Sequence, residues 1–398
     1  MTCAELFDSE TNHRTGLEGG QTANPNLIRR GSLKPIIERV SVRSAQHVPD
    51  HSKVPGVVID YSPAKLGKYV GSPSLVVLPD GTYVASHDFF GPRTTCRYKA
   101  ESVVFKTENR GKVWTKIAEL NGLFWGKLFI SRNRLYVLGT ICEYGTVVIR
   151  RSLDGGKTWS VPLDSKSSRL TDKDQHHCAP VPVIVHNGRI WRSMEDKSKV
   201  TGDWGGKYLR AGVVSAPVDA DLLDAKSWTF SKRIAGDPTW LDSRFKAWLE
   251  GNVVAAPDGD IVCVMRVDTA QGGKAAIINV SPDGRNLSFN PRSGFIDFPG
   301  GAKKFTIRYD ERTQLYWSLV SYVQPKDQGK AEASMIRNTL ALTSSPNLED
   351  WTVRSVVLYH PDVRKTGFQY ADWHFEGNDI IAESLQSPCH VIPYDVCL

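Results

Sequence analysis

Two pairs of adjacent residues carry side chains that are suited to moving protons. His87 precedes Asp88, and His176 precedes His177. Histidine exchanges protons readily near neutral pH, and a positioned carboxyl group can serve as an acid or a base. These four residues are therefore candidates for acid–base catalysis or for contacts with a polar substrate. A structural role inside the fold is the alternative for each of them.

The elements around these residues are short hairpins that recur six times along the chain. Each unit contains an apolar strand, a turn rich in Gly, Asn or Asp, and a second apolar strand, which is a strong hairpin signal. The units span residues 75–86, 128–140, 181–194, 253–266, 307–321 and 373–384. A regular recurrence of this kind indicates a repeat architecture.

A second type of turn follows five of these hairpins. Ser152 to Trp159 fits the pattern S-x-D-x-G-x-x-W, and Thr107 to Trp114 fits it with Asn in place of Asp. Weaker copies begin at Ser215, Ser281 and Ser344. In such a turn Asp or Asn caps its own backbone, Gly takes the positive φ, and the aromatic side chain packs against the sheet.

A hairpin, a third strand, this turn and a fourth strand make one four-stranded antiparallel blade. The sequence therefore predicts an all-β, six-bladed β-propeller over residues 51–398. Residues 1–50 lie outside the repeat and are polar, so we expect a disordered extension there, followed by a closing strand near 57–61. The chain after Ser384 is too short and too rich in proline for two outer strands, so the N-terminal segment is expected to supply one.

Composition argues against several classes of protein. The 398 residues carry a formal net charge of +7, but Lys and Arg are scattered, which predicts no nucleic-acid partner. The seven cysteines lack CxxC or regular spacing, so no disulfide framework, metal site or cofactor is predicted. Because no signal peptide or long apolar stretch is visible, we expect no membrane partner and a cytoplasmic location unless the start is misassigned. We also expect a monomer.

In this register, the S-x-D-x-G-x-x-W turns resemble the Asp boxes of the sialidase superfamily, and the similarity spans roughly residues 55–384. The stretch from Glu250 to Arg266 resembles the sialidase segment in which a Glu precedes a hairpin and an Arg ends it. The resemblance implies that Glu250 assists the nucleophile and that Arg266 and Arg337 belong to an arginine triad that binds a carboxylate. It further implies that Tyr370 is the nucleophile and that Glu383 braces an arginine.

The chemistry explains why those residue types are used. The forked, permanently charged guanidinium group is the best side chain for holding a ligand carboxylate. A carboxylate nucleophile would be repelled at an anomeric centre that bears its own carboxylate, so a Tyr activated by a Glu suits such a substrate. Trp125, Trp204 and Trp248 are candidates for stacking on a sugar ring, with packing inside the fold as the alternative.

The sequence departs from the sialidase pattern at two positions. Gly71 stands where the family places its central arginine, and no Asp follows in the loop beyond Pro92, where the family's acid would lie. We therefore expect Asp88 or His87 to act as the acid and another cation, such as Lys68 or His87, to point toward Gly71. His176 and His177 would then contact the substrate.

Three functions fit this pattern. The first is an exo-glycosidase that hydrolyses a terminal acidic sugar, of the sialic or uronic acid type, from a glycan. The second is a uronate lyase, in which Arg neutralises the carboxylate and His or Tyr removes the adjacent proton. The third is a propeller that binds an acidic glycan without catalysis.

A geometric expectation accompanies the first function. Glu250, Arg266, Arg337 and Tyr370 should converge on one mouth of the tunnel, with His87 facing them. The Glu250 carboxylate should lie within roughly 2.6 to 3.2 Å of the Tyr370 hydroxyl.

Overall fold

The computed structural model describes residues 54–91, 100–172, 175–198, 205–387 and 394–397. The extension expected over residues 1–50 and the Trp204 side chain lie outside these ranges. Within them the chain is built from strands, as predicted, and its helical elements are all single turns. These are the four-residue helix α1 (Trp240–Ser243) and the 3₁₀ turns Ala64–Leu66, Gly205–Tyr208, Ala225–Ser227, Pro325–Asp327 and Ala333–Met335.

The chain begins with strand β1 (Asp60–Pro63), followed by two antiparallel sheets. The first sheet has four strands in chain order, β2 (Tyr69–Val77), β3 (Tyr83–Phe90), β4 (Glu101–Thr107) and β5 (Thr115–Asn121). The second sheet has three, β6 (Phe124–Ser131), β7 (Arg134–Thr140) and β8 (Val147–Ser152). A fourth strand was expected here, but Pro162 interrupts the segment, and only residues 168–170 return to bond with Val147 and Ile149 of β8.

Two short sheets follow along a shared stretch of chain. Their strands are β9 (His176–His177), β10 (Ile184–His186), β11 (Arg189–Ser193), β12 (Glu195–Lys197), β13 (Leu209–Ala211), β14 (Val213–Pro217), β15 (Thr229–Phe230) and β16 (Ile234–Ala235). The hydrogen-bonding orders are β10-β11-β14-β15 and β16-β13-β12-β9. Only Met194 separates β11 from β12 and only Gly212 separates β13 from β14, and the amide of Met194 bonds the carbonyl of Gly212 at 2.9 Å.

Two further sheets repeat the antiparallel pattern. The first contains β17 (Ala247–Ala255), β18 (Ile261–Asp268), β19 (Lys274–Val280), β20 (Leu287–Ser288) and β21 (Phe295–Asp297), with both β20 and β21 paired to β19. The second contains β22 (Thr306–Asp310), β23 (Leu315–Ser321), β24 (Thr339–Ser345) and β25 (Thr352–Tyr359).

The last sheet joins both ends of the described chain. It contains β26 (Gly367–Glu376), β27 (Asp379–Ser387) and β28 (Tyr394–Cys397), in the order β1-β28-β27-β26. Strand β1 pairs antiparallel with β28, from Asp60 opposite Cys397 to Pro63 opposite Tyr394. The expected closing strand is therefore confirmed, a few residues later than predicted.

All six predicted hairpins are confirmed as strand pairs. They are β2–β3, β6–β7, β10–β11, β17–β18, β22–β23 and β26–β27. The turn at Ser152–Trp159 has the predicted type of capping, since Asp154 Oδ1 accepts hydrogen bonds from the amides of Lys157 and Thr158 at 3.1 and 2.9 Å. The Trp159 indole donates to the carbonyl of Gly156 at 2.8 Å.

Polar side chains connect the first strand of one sheet to the first strand of the next. Asp372 accepts from the amide of Leu75 at 2.8 Å, and Ser74 accepts from the amide of Leu128 at 2.9 Å. Asn252 accepts from the amide of Ile307 at 3.0 Å, and Thr306 donates to the carbonyl of Ala371 at 2.9 Å. Because these contacts run in chain order and return from β26 to β2, the arrangement is consistent with the predicted propeller.

Apolar side chains fill the space between neighbouring sheets. The indole of Trp248 is completely buried, and it packs against Phe245 at 4.9 Å and Phe289 at 5.3 Å between ring centroids. Trp248 therefore packs within the core and is not a platform for a sugar. Within the described residues no helix is long and apolar enough to cross a membrane, and no group of three or more His, Cys, Asp or Glu could hold a metal ion.

Cys142 is disulfide-bonded, a feature that the sequence analysis did not predict. Cysteine spacing along the chain carries no information on which loops the fold brings together, so the pairing could not be read from sequence. Cys178 and Cys263 are free and buried.

Candidate active site

Four of the first strands are interrupted by a β-bulge near the end at which they begin. The register shifts between Gly71 and Ser74 in β2, Phe124 and Lys127 in β6, Leu249 and Gly251 in β17, and Gln369 and Asp372 in β26. Ser72, Trp125 and Tyr370 have positive φ angles of 51°, 56° and 58° inside these bulges. A bulge re-aims side chains, and strained backbone of this kind clusters at functional sites.

Two of these bulges bring Glu250 and Tyr370 together, although 120 residues separate them in sequence. The Tyr370 hydroxyl donates a hydrogen bond to Glu250 Oε1 at 2.9 Å, which agrees with the expected distance. The other carboxylate oxygen of Glu250 accepts a hydrogen bond from Arg266 Nη1. Glu250 and Arg266 are buried, whereas Tyr370 is half-buried.

The protonation states follow from this environment. Burial alone would raise the pKa of Glu250, but the charges of Arg266 and His177 outweigh it and hold that pKa below its usual value. Burial, with the Glu250 carboxylate beside it, raises the pKa of Tyr370 to about 12. Glu250 is therefore an ionised acceptor poised to take a proton that the Tyr370 phenol holds at neutral pH.

Arg337 lies close to Tyr370, and Lys303 is within electrostatic reach of Arg337 and Arg266. Arg337 is half-buried and places its guanidinium carbon 5.8 Å from the centroid of the Tyr370 ring. It donates from Nε to the carbonyl of Ser334 at 2.9 Å and from Nη1 to the side chain of Gln369. Lys303 is buried and donates to the neighbouring carbonyl of Ala333 at 2.9 Å.

The environment of Lys303 disfavours the charged form of its amine. Burial, followed by the charges of Arg337 and Arg266, holds the pKa of Lys303 well below its usual value. The positive charges of Arg337 and Arg266 repel the protonated amine of Lys303. An anion bound beside the two arginines would offset this repulsion, so its binding is favoured here. Arg266 and Arg337, with Lys303 able to regain its charge beside an anion, therefore make this part of the site suitable for a carboxylate.

His177 lies within electrostatic reach of Glu250, among aromatic side chains. Its ring is 4.8 Å from that of Trp125 and 5.7 Å from that of Tyr144, and its Nδ1 is 3.4 Å from Glu195 Oε2. Its effect on the pKa of Glu250 shows that it is within electrostatic reach of the Tyr370–Glu250 pair. Trp125 is buried and donates from its indole to the carbonyl of Glu143 at 2.9 Å.

The structure places His87 away from this group, contrary to expectation. Its ring is buried between Phe89 and Phe105, with centroids at 5.0 and 5.7 Å. Its Nε2 lies 2.9 Å from Asp60 Oδ2 on the closing strand. Strand alternation points His87 toward that strand and Asp88 toward the other face, so His87 is a structural link.

Asp88 also has a structural setting. Its buried carboxylate accepts a hydrogen bond from the backbone amide of Trp125 at 2.7 Å and from Ser102 Oγ at 3.3 Å. Burial raises the pKa of Asp88 to about 7. Because the carboxylate is inaccessible and holds the bulge of the neighbouring sheet, the expected role of Asp88 as the acid is not supported by its position.

His176 and Glu383 occupy other surroundings. The His176 ring packs beside Phe230 at 5.8 Å, on the opposite face of β9 from His177. Glu383 is buried opposite Asp372 in the β26–β27 ladder, within electrostatic reach of Lys127. The expected roles of His176 as a substrate contact and of Glu383 as the brace of an arginine stay predictions.

The space expected at Gly71 is filled by an aromatic ring. A side-chain carbon placed on Gly71 would overlap the Phe90 ring at 1.8 Å, so Phe90 occupies the volume that an arginine would need. Lys68 does not enter it either, because its ammonium pairs with Glu101 and lies 5.6 Å from the Phe89 ring. The expected substitution by Lys68 or His87 is therefore wrong.

Sequence reasoning missed Lys303, Glu195, Glu143 and Tyr144. Lys303 stands three residues before strand β22 and one residue before Lys304, which occupies the place in its repeat that Glu250 and Tyr370 occupy in theirs, so the repeat itself could have pointed to this segment. Glu195 accepts from the amide of Gly251 at 3.3 Å and braces the bulge that presents Glu250. No local motif marks Glu195, Glu143 or Tyr144.

Comparison with known proteins identifies the fold family of the structure. No protein-family model matches the sequence, and no curated protein matches it significantly. The structure is similar to a Hadza microbial sialidase (TM-score 0.56, 11% identity, covering 83% of this chain and 65% of that chain). It is also similar to a Trypanosoma rangeli sialidase in complex with sialic acid (TM-score 0.52, 12% identity, 83% and 54%).

A third similar structure has a different activity. It is a Penicillium chrysogenum α-L-arabinanase complexed with arabinobiose (TM-score 0.52, 14% identity, 86% of this chain and 96% of that chain). The chain thus spans about two thirds and about half of the two sialidases, and nearly all of the arabinanase. At these identities the similarity establishes the fold, and the chain has the sialidase-like β-propeller fold.

Proposed function

We propose that this protein is a retaining exo-glycosidase that hydrolyses a terminal acidic sugar, of the sialic or uronic acid type, from a glycan. The observation that carries the proposal is the 2.9 Å hydrogen bond from the Tyr370 hydroxyl to the ionised Glu250, beside the guanidinium groups of Arg266 and Arg337. Glycoside hydrolases among the similar structures support the reaction class. Their substrates differ, so the acidic sugar is inferred from the basic groups alone.

The proposed first step uses these residues as follows. The Tyr370 oxygen attacks the anomeric carbon while its proton passes to Glu250, and the glycosidic oxygen leaves with a proton from an acid. Arg266 keeps Glu250 ionised before the step, and the Arg337 charge near the ring stabilises the developing phenolate. Water then hydrolyses the tyrosyl–sugar bond, and Glu250 returns the proton to Tyr370.

The basic groups contribute unequally to binding of the substrate carboxylate. Arg266 is already paired with Glu250, so part of its charge is neutralised within the protein. Arg337 is half-buried, and its Nη2 nitrogen makes no hydrogen bond with a side chain among the described residues. We infer that Arg337 is the principal carboxylate ligand and that Lys303, whose ammonium form is disfavoured in the free protein, takes up a proton when the anion binds.

We also propose six blades for the propeller. Support comes from the two short sheets formed by β9 to β16. Their eight strands are consecutive pairs, β9 with β10, β11 with β12, β13 with β14 and β15 with β16, and each pair divides one chain segment between the two sheets. The four segments together therefore form one blade. The turns at Thr107–Trp114, Ser152–Trp159 and Ser281–Asn286, each between a third strand and the segment after it, are proposed to be Asp boxes. In each, a Ser or Thr hydroxyl bonds an Asp or Asn two residues later at 2.6 to 2.8 Å.

The test is a panel of sialosides and uronosides incubated with wild-type protein and with Tyr370→Phe. Release of a free acidic sugar by wild type is expected, and Tyr370→Phe should lower kcat by at least about 100-fold. Tyr309→Phe is the matched control, because its exposed hydroxyl bonds Gln314 at 2.9 Å on an outer turn. Thermal unfolding of both variants should stay near that of wild type.

Other outcomes identify the alternative functions. An unsaturated uronic acid, seen by its ultraviolet absorbance, would replace hydrolysis with β-elimination. Saturable binding of a glycan that stays intact through long incubation would indicate a binding protein, a reading that Phe90 in the place of the third arginine favours. Equal hydrolysis by wild type and Tyr370→Phe would remove Tyr370 from the mechanism.

A further inference from the structure

The proposed reaction needs an acid for the leaving group, but Asp88 is buried against the amide of Trp125 and His87 is buried and paired with Asp60. The loop after strand β7 offers another carboxyl group. Glu143 lies in this loop, and its carbonyl accepts the indole N–H of Trp125 at 2.9 Å. Trp125 is the bulge residue at the start of β6, so the loop is fixed at the same end of the sheets as Glu250 and Tyr370.

The neighbour of Glu143 fixes its position further. The Tyr144 ring stacks on His177 with a centroid distance of 5.7 Å, and Lys197 Nζ lies 4.5 Å from the centroid of that ring. His177 acts electrostatically on both Glu143 and Glu250, and Tyr144 is affected by both carboxylates. Glu143 and Glu250 are therefore on the same mouth, within reach of the same two side chains.

Glu143 is also available for chemistry. The residue is exposed, and its carboxyl group makes no hydrogen bond or ion pair with any residue that the structure describes. The protein walls around it nevertheless desolvate the carboxylate, which raises its pKa despite the opposing charges of His177 and Lys197. By contrast, Glu250 and Glu195 are engaged with Arg266, Tyr370, Ser193 and Gly251.

We propose that Glu143 is the acid–base residue of this site. In the first step its carboxyl proton goes to the glycosidic oxygen as the bond from that oxygen to the anomeric carbon breaks and the Tyr370 bond forms. In the second step the Glu143 carboxylate takes a proton from water, whose oxygen attacks the anomeric carbon and displaces Tyr370. The inference rests on the proposed function, and it assigns the leaving-group side of the site to the Trp125–Tyr144 wall.

The test compares two substrates of the same sugar, the natural glycan and a p-nitrophenyl glycoside. Nitrophenolate leaves without protonation, so Glu143→Gln should lower kcat/KM by at least about 100-fold for the glycan and far less for the aryl glycoside. Azide, which needs no base, should restore turnover of the aryl glycoside by the variant and yield a glycosyl azide. Glu349→Gln, on an exposed outer turn, is the control and should match wild type on both substrates.

The pH profile gives an independent readout. An acid must be protonated to act, so wild-type kcat/KM on the glycan should fall as pH rises through the elevated pKa of Glu143. Glu143→Gln should lose this alkaline limb. A residue that only supported the loop would lower activity without removing the limb or changing the ratio between substrates.

The remaining outcomes test Glu143 against a rival carboxyl group and separate failure of this inference from failure of the proposed function. Asp268→Asn is the rival variant, because burial also raises the pKa of this carboxyl group near Arg266. If it, and not Glu143→Gln, separates the two substrates, the acid is Asp268 and the inference is wrong. If wild type hydrolyses both substrates and Glu143→Gln does so equally well, only the inference fails. If wild type hydrolyses neither, the proposed function fails and the inference falls with it.

Discussion

Arg337 is the residue on which recognition of the substrate carboxylate depends most directly. Its partners among the described residues are the carbonyl of Ser334 and the side chain of Gln369, both neutral. Arg266, in contrast, shares its charge with Glu250. A neutral environment leaves the full guanidinium charge of Arg337 for a ligand.

Substituting Arg337 should therefore weaken binding of an acidic substrate more than it slows chemistry. A charged hydrogen bond of about 1.5 to 3 kcal/mol corresponds to a KM increase of roughly 10- to 150-fold for Arg337→Met. Arg337→Lys should recover part of this loss, because an ammonium keeps the charge but not the fork. Steady-state kinetics on the acidic glycoside measure the effect.

The matched control is Arg312→Met. Arg312 is an exposed arginine that contacts Asn378 across an outer turn. It should leave KM unchanged. An Arg337→Met variant with wild-type KM would place the carboxylate elsewhere in the mouth.

Among the secondary-structure elements, side chains from one sheet brace the bulge of the sheet that follows. Asp88 on β3 accepts from the amide of Trp125, and Glu195 on β12 accepts from the amide of Gly251. Lys304, just before β22, donates to the carbonyls of Tyr370 and Ala371 at 3.3 and 2.8 Å. These side chains satisfy backbone groups that the bulges remove from the ladders, and so they hold Trp125, Glu250 and Tyr370 in place.

The brace at Asp88 makes stability depend on pH in the opposite sense to most carboxylates. Its pKa in the folded state, about 7, lies above the ordinary value of 3.8. The folded protein then binds more protons than the unfolded chain between these values, so this contribution falls as pH rises from about 4 to 7. The expected size is on the order of a few kcal/mol at most.

Asp88→Asn should remove this dependence, because the amide mimics the protonated acid and keeps an acceptor for Trp125. Urea unfolding at several pH values should show wild type losing stability relative to Asp88→Asn as pH rises across this window. Asp350→Asn, which alters an exposed contact with Asn347, serves as the control and should follow wild type. Parallel curves for Asp88→Asn and wild type would contradict the assignment.

For the molecule as a whole, closure of the ring depends on a strand from the start of the described chain. Strand β1 supplies the outermost partner of β28, and Asp60 reaches across to His87 on β3 at 2.9 Å. The last sheet is thereby fastened to the first. We propose that the propeller domain starts near residue 51, in keeping with the compact unit Pro55–Leu398, and that residues 1–50 are dispensable for it.

Two deletions test this arrangement. Removing residues 1–53 keeps β1 and should leave Tm unchanged. Removing residues 1–63 leaves β28 as an unpaired edge and His87 without its carboxylate partner, which should lower Tm by about 5 °C or more. Differential scanning calorimetry compares the two. Equal melting temperatures would show that β1 does not close the ring, and a drop with the shorter deletion would move the domain boundary.

The sequence by itself determined the hairpins, the turns between third and fourth strands, and the need for a closing strand. Each of these features is encoded within about ten neighbouring residues, through strand alternation and the backbone preferences of Gly, Asn and Asp. The pairing of Glu250 with Tyr370 was also expected from sequence, but only through a resemblance in their repeats.

The tertiary structure decided the rest of the site. Alternation of side chains fixes which face a residue takes, but a bulge shifts that register, and sequence pattern does not reveal where a bulge falls. This is why His87 turned toward Asp60 and why Phe90 could fill the space beside Gly71. Lys303 came within reach of Arg266 and Arg337, and Glu143 came within reach of His177, because packing of the sheets brings the starts of first strands and the loops after second strands to one end, a non-local consequence of the fold.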